Sequence, residues 1–176
     1  MQLRAAFRGE MRKRMPAFVP QKSVVSNFDL YVADLAPVRF YALLQLHQMR
    51  DAFTIEIGWS EQGRAPAQVS FLMLPSDEPV NGEKCLRLRR LSRGEHQDGW
   101  WELVSPPDGW PFSEQHLVDV EAALSGDDLK RRASLLASQA AAELAEHAGS
   151  YFRSIAERHQ IALPVDWPRR GNDAGS

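Results

Sequence analysis

The chain carries the residue types that chemistry needs, but not at spacings that put them to work. Its five histidines, at 47, 96, 116, 147 and 159, never stand in a metal-ligating pattern such as His-x-x-x-His. His147 and His159, twelve apart on one expected helix, cannot share an ion. Cys85 is the single cysteine, which excludes a disulfide framework and any zinc site of several thiolates. Lys84 and Arg87 beside it could lower its thiol pKa, although no adjacent element offers a histidine base. A serine nucleophile would show an elbow such as Gly-x-Ser-x-Gly, and a nucleotide site a glycine-rich loop; neither occurs. Asp51, Glu56, Glu61 and Glu102 could be paired for acid–base work, yet carboxylates on sheet faces are ordinarily just solvated. No catalytic residue, metal or cofactor is assigned, and a small enzyme using a carboxylate pair or Cys85 ranks last of three readings.

The most unusual local composition is the run Lys84-Cys85-Leu86-Arg87-Leu88-Arg89-Arg90-Leu91-Ser92-Arg93, followed by Trp100, Trp101 and Trp110. Cations beside aromatic rings can stack bases and hold a phosphate backbone. They can equally anchor a protein partner, because arginine and tryptophan are favoured interface residues. The plainest alternative pairs the arginines with Glu95, Asp98 and Glu102 and leaves one or two tryptophans in the core. The candidate binding residues are Arg87, Arg89, Arg90, Arg93, Trp100, Glu102 and Trp110, with Arg39 and Glu56 extending the surface from a neighbouring hairpin.

That hairpin is the clearest positioning element. Val38, Phe40, Ala42, Leu44 and Leu46 alternate with Arg39, Tyr41, Leu43, Gln45 and His47. Phe53, Ile55, Ile57 and Trp59 alternate with Ala52, Thr54, Glu56 and Gly58. Period two in both runs means two half-buried strands. Setting His47 opposite Ala52 places Leu46 by Phe53, Leu44 by Ile55 and Ala42 by Ile57, whereas a slip of one residue would destroy the match. Gly58 then lies under the Tyr41 ring. Arg39 and Glu56 fall on the other side, where Tyr41 and Leu43 suggest that a helix or a second subunit gives partial cover.

Around this hairpin, Leu3, Phe7 and Met11 sit four apart in a basic amphipathic helix that must stop before Pro16. Residues 16–27 read as a connecting loop and Phe28–Leu35 as a strand. Gln68–Leu74 reads as a further strand, and Asn81-Gly82 is a turn signal. Lys84–Leu91 alternates again and is expected to pair with Gly99–Val104, with Leu91 by Trp100, Leu88 by Leu103 and Arg89 by Glu102. Ser113 is expected to cap one helix to about Leu124. Ser125 or Asp127 caps a long second helix with Leu129, Leu136, Ala140, Leu144, Ala148, Tyr151 and Ile155 in one stripe, and with Gly149-Ser150 as a kink or break. Segregated strands and helices predict an α+β fold: an antiparallel sheet of five or six strands packed against an N-terminal helix and two C-terminal helices.

With 176 residues, 44% of them hydrophobic, the chain can bury one core, expected over residues 1–168 with a disordered tail at 169–176. A formal charge of -2 argues against a wholly basic nucleic-acid binder. No apolar run approaches the length of a membrane span, and the basic start lacks the apolar core of a secretory signal; a lone cysteine suits a cytoplasmic location.

Asp51-Ala-Phe-Thr-Ile-Glu-Ile-Gly-Trp-Ser60, following the Val38–His47 strand, resembles a hairpin in small bacterial proteins of unknown function, some of them immunity-type proteins of toxin systems. The likeness covers residues 1–60 and transfers no site residue. It implies a bacterial, cytoplasmic, non-enzymatic protein that binds another protein. That is the first reading; an adaptor for nucleic acid using Arg87, Arg89, Arg90 and Arg93 is the second, and a homo-oligomer fits either.

Overall fold

In the computed structural model of the chain, the described residues are 2–23, 26–48, 51–63, 73–94, 99–103 and 126–168. Helix α1 spans Gln2–Arg14 and buries Leu3, Phe7 and Met11. Its last turn holds Arg12, Lys13 and Arg14, cations suited to the negative end of the helix dipole. Glu10 ties Lys13 at 3.0 Å and Arg14 at 2.9 Å.

The expected loop after Pro16 contains a short strand, β1 (Val19–Gln21), exposed along its length and paired with β2. Three residues with a central proline offer little to period-two reading, and Pro20, lacking an N–H, suits a sheet edge. Strand β2 (Phe28–Leu35) has the expected bounds and turns through Ala36-Pro37 into β3 (Val38–Leu46). Strand β4 (Ala52–Ser60) pairs with β3 in the register expected from alternation: Leu46 opposite Phe53, Leu44 opposite Ile55, Ala42 opposite Ile57 and Tyr41 opposite Gly58. Phe40, Ala42, Leu44, Phe53, Ile55 and Ile57 all lie in the main core. A Cβ on Gly58 would stand 2.1 Å from the Tyr41 hydroxyl and 2.3 Å from the Lys84 carbonyl oxygen, so the close approach of ring and backbone requires glycine there.

The next segment departs from the sequence expectation. Strand β5 ends at Arg87 (Glu83–Arg87), and Leu88–Arg93 forms a short helix, α2. β5 pairs with β4, and β6 (Trp101–Glu102) pairs with β4 as well, Ala52 facing Glu102 and Phe53 facing Trp101. The expected pairing of 84–91 with 99–104 is therefore absent, and Arg87–Arg93 is not a continuous basic strand. Leu88 and Leu91 fit a helix at i, i+3 as well as they fit alternation, and arginine is a good helix former. Bending at Arg87 keeps Leu88 in the core and returns the chain to the lower half of β4. In the gap between β5 and β6, the buried Thr54 hydroxyl donates to the Gly99 carbonyl at 2.6 Å.

The result is a six-stranded antiparallel sheet in the order β1-β2-β3-β4-β5, with β6 beside β4. Its inner face is covered by α1 and a C-terminal helix made of α3 (Gly126–Glu143), a π-helical turn (Leu144–Ala148) and α4 (Gly149–Arg158). Ala140, Leu144, Ala148 and Ile155 of the expected stripe are buried; Leu129, Leu136 and Tyr151 are half-buried, while Ala133, Ala137, Ala141 and Phe152 join the core. The small side chains of Ala137 and Ala141 let α1 approach closely, and Ser138 reaches Glu10 at 3.4 Å. Instead of breaking at Gly149-Ser150, the helix accommodates that point with the π-turn just before it. Trp167 docks beyond α4: its ring meets Phe18, Phe40 and Phe152, and its indole N–H donates to the Gly149 carbonyl at 3.3 Å. The expected helix from Ser113, most of the Gln68–Leu74 strand and the 169–176 tail lie outside the described residues.

Candidate functional site

Alternation along β3 and β4 sends Arg39, Tyr41, Leu43, Gln45 and His47, with Ala52, Thr54, Glu56, Gly58 and Ser60, to the sheet face opposite the helices. β5 adds Cys85 and Arg87 to that outer face, opposite Gly58 and Glu56. Near one end of the strands, Arg87, Gly99, Trp100 and His47 come together. The Arg87 guanidinium stands 5.2 Å from the centre of the Trp100 ring, and the His47 ring meets the same indole edge-on at 4.9 Å. Gly99 makes this stack possible: its φ is +83°, and a Cβ would lie 2.8 Å from Cδ of Arg87, so the arginine stem runs over the glycine onto the tryptophan. Glu102 faces Ala52, and the His47 amide donates to the Ala52 carbonyl at 2.9 Å, which sets Glu102 and His47 on either side of one small residue.

Glu56 forms the inner rim of this cluster. Burial raises its carboxyl pKa, and the facing Arg87 offsets that only in part. The cluster therefore contains an aromatic–cation stack flanked by two carboxylates.

The other sequence candidates separate. Arg89 turns to the inner side: its guanidinium lies 4.7 Å over the Trp101 ring and donates to the Trp100 carbonyl at 2.5 Å. Trp101 itself stacks on Phe53 in the core. Arg93 binds Glu143 at 2.9 Å, joined there by Ser92 at 3.2 Å, so it fastens α2 to the C-terminal helix; Glu95 and Asp98, two of the expected partners of the basic run, lie outside the described residues. Arg90 is half-buried on α2. Arg39 is held by Asp34 at 2.5 Å at the far end of the outer face, four strand positions from the Glu56 row, or roughly 14 Å. Trp110 lies outside the described residues. Sequence reading missed His47 as a candidate; its position opposite Ala52 was the available signal.

Cys85 does not have the activated thiol that its charged neighbours suggested. It is buried with Val32 and Tyr41, and burial, with Glu56 nearby, pushes its pKa up to about 12. Lys84 is spent elsewhere, its ammonium donating to the Pro75 and Asp77 carbonyls. Tyr41, also raised by burial, donates to the Lys84 carbonyl at 3.0 Å. Among the described residues no group of three His, Cys, Asp or Glu side chains could hold a metal ion, and no helix is long and apolar enough to cross a membrane.

No family model, curated protein or solved structure matches the chain. What the fold and the site define is a class: a two-layer α+β domain whose sheet carries an aromatic–cation cluster on the face away from its helices.

Proposed function

We propose that this protein is a non-enzymatic interaction protein that docks another protein on the outer sheet face, with Trp100 as anchor, Arg87 and His47 as its ordered neighbours, and Glu56 and Glu102 as the charged rim. The observation that carries this reading is the Arg87–Trp100–His47 stack. Side chains packed against one another before binding have less freedom to lose on association, and tryptophan and arginine are the residue types that most often carry interface energy. The sealed Cys85 thiol favours binding over catalysis. Splitting the basic run between β5 and α2 leaves no single stripe of arginines along which a phosphate backbone would track.

An immunity-type role in a bacterial cytoplasm is the specific form of this reading that the Asp51–Ser60 resemblance suggests, and a toxin-like gene next to this one would support it. The test is affinity capture from the native host with the full chain and with Trp100→Ala. A protein retained by the first and reduced at least about tenfold by the second, at equal thermal stability, is the expected result for an interface anchor. Equal retention by both would overturn the proposal. So would recovery of nucleic acid alone, released steeply by salt.

A further inference from the structure

Trp100 and Trp101 are neighbours in the chain, yet their side chains leave on opposite faces of the sheet. Trp101 goes inward and stacks on Phe53, with 5.3 Å between ring centres and 8° between ring planes. Trp100 goes outward to Arg87 and His47. Strand β6 holds only Trp101 and Glu102, and among the described residues it pairs with β4 alone. Trp100 therefore precedes the first paired residue. Gly99 before it has φ +83°, a conformation that glycine adopts freely and leaves as freely. Thr54 holds the Gly99 carbonyl at 2.6 Å, and the carbonyl of Trp100 itself is taken by Arg89.

Arg89 touches both tryptophans with one guanidinium. It donates to the Trp100 carbonyl at 2.5 Å, a charge-assisted bond stronger than one from a neutral donor. Its centre lies 4.7 Å over the Trp101 ring, where a flat cation adds to the stack already made with Phe53. The peptide joining the two rings is thus held from the helix side, and with it the direction in which Trp100 leaves the backbone. Arg89 is itself held from both ends of α2. Leu88 before it is in the core, while Ser92 and Arg93 after it bind Glu143 of the C-terminal helix.

We infer that Arg89 is the positioning residue of the Trp100 anchor: from the helix-covered side of the sheet it sets the backbone at 100–101 so that Trp100 is presented to Arg87, His47 and an incoming partner on the other side. This role deepens the docking reading proposed above and rests on it for its use, whereas the positioning itself is a property of the free protein. An arginine that merely strengthened α2 would leave Trp100 where it is.

The test uses the full chain and reads His47, which meets the Trp100 ring edge-on at 4.9 Å on the face away from Arg89. Its ring-proton NMR shifts carry the ring current of that indole, and Trp100→Ala gives their value with the stack gone. Arg89→Met keeps an unbranched stem but neither contact, and should move His47 most of the way to that value. Arg89→Lys keeps the charge and a donor but not the flat fork, and should fall between. Amide shifts along α1 report on the fold and should stay in place. Where a partner is captured on the wild-type chain, Arg89→Met should lower its retention several-fold, yet add nothing in the Trp100→Ala background, because both changes act through one side chain. His47 shifts unmoved by Arg89→Met, or additive losses of retention, would overturn the role. If Arg89→Met fails to fold, Arg89→Lys decides: His47 displaced with the α1 amides in place supports the role, and His47 unmoved, or moved only together with them, overturns it. Equal retention by wild type and Trp100→Ala would instead remove the docking reading and leave the His47 result standing.

Discussion

Gly58 and Cys85 show how tightly single residues pack the middle of the outer face. The Tyr41 ring and the Lys84 carbonyl both occupy space that a Cβ on Gly58 would need, and a backbone oxygen cannot swing aside. Gly58→Ala is therefore expected to destabilise the protein by about 2–4 kcal/mol, the cost of overpacking a rigid site, measured by urea unfolding. Beside it, Cys85 should resist a thiol reagent at pH 8 in the native state and react at once in denaturant. The pH dependence has a definite sign. The thiol loses its proton near its ordinary value of 9.0 when unfolded but only near about 12 when folded, so the unfolded state binds fewer protons between those limits and stability falls as pH rises through them. Cys85→Ala should remove the early part of that decline, leaving the part due to the buried tyrosines.

Among the elements, the C-terminal helix makes the sharpest statement. Its π-turn holds one residue more than an α-helix needs over the same rise, and such insertions are stabilised where a neighbour uses the disturbed backbone. Here the neighbour is Trp167, whose N–H reaches the Gly149 carbonyl. Deleting the exposed Glu146 from the turn should restore plain α-helix with Ala140 and Phe152 still facing the core, at a cost of about 1–2 kcal/mol from the lost indole bond. Deleting the exposed Ser134 instead should rotate everything N-terminal to it by about 100° and be far more damaging. Thermal melts of the two deletions decide this. The same scale shows what was legible in the chain. Alternation on both sides of 47–52, with most of the large apolar residues in one phase, fixed the β3–β4 register to the residue. For 84–91 alternation named a face but not a neighbour, and Leu88 and Leu91 satisfied strand and helix alike, so both the helix and the shared use of β4 by β5 and β6 were hidden. Trp100 and Trp101 adjoin in sequence, yet one faces outward and the other stacks on Phe53; only the β6 pairing with Ala52 and Phe53 decides which.

At the level of the whole molecule, the sheet separates two jobs. Its inner face, under α1 and the C-terminal helix, holds Phe7, Phe40, Phe53 and Phe152 and accounts for folding. Its outer face runs from the Arg39–Asp34 pair at one end, past the buried Val32–Tyr41–Cys85 group, to the Arg87–Trp100–His47 stack at the other. If one end of that face is a docking surface, contact should be polarised along the strands. The most direct measurement is photocrosslinking in the native host with p-benzoylphenylalanine placed at His47 or, in a separate variant, at Arg39. A discrete adduct to another protein from position 47, and none from position 39, is the expected result. Adducts from 39 alone, equal adducts from both, or none from either would contradict a partner seated on Trp100.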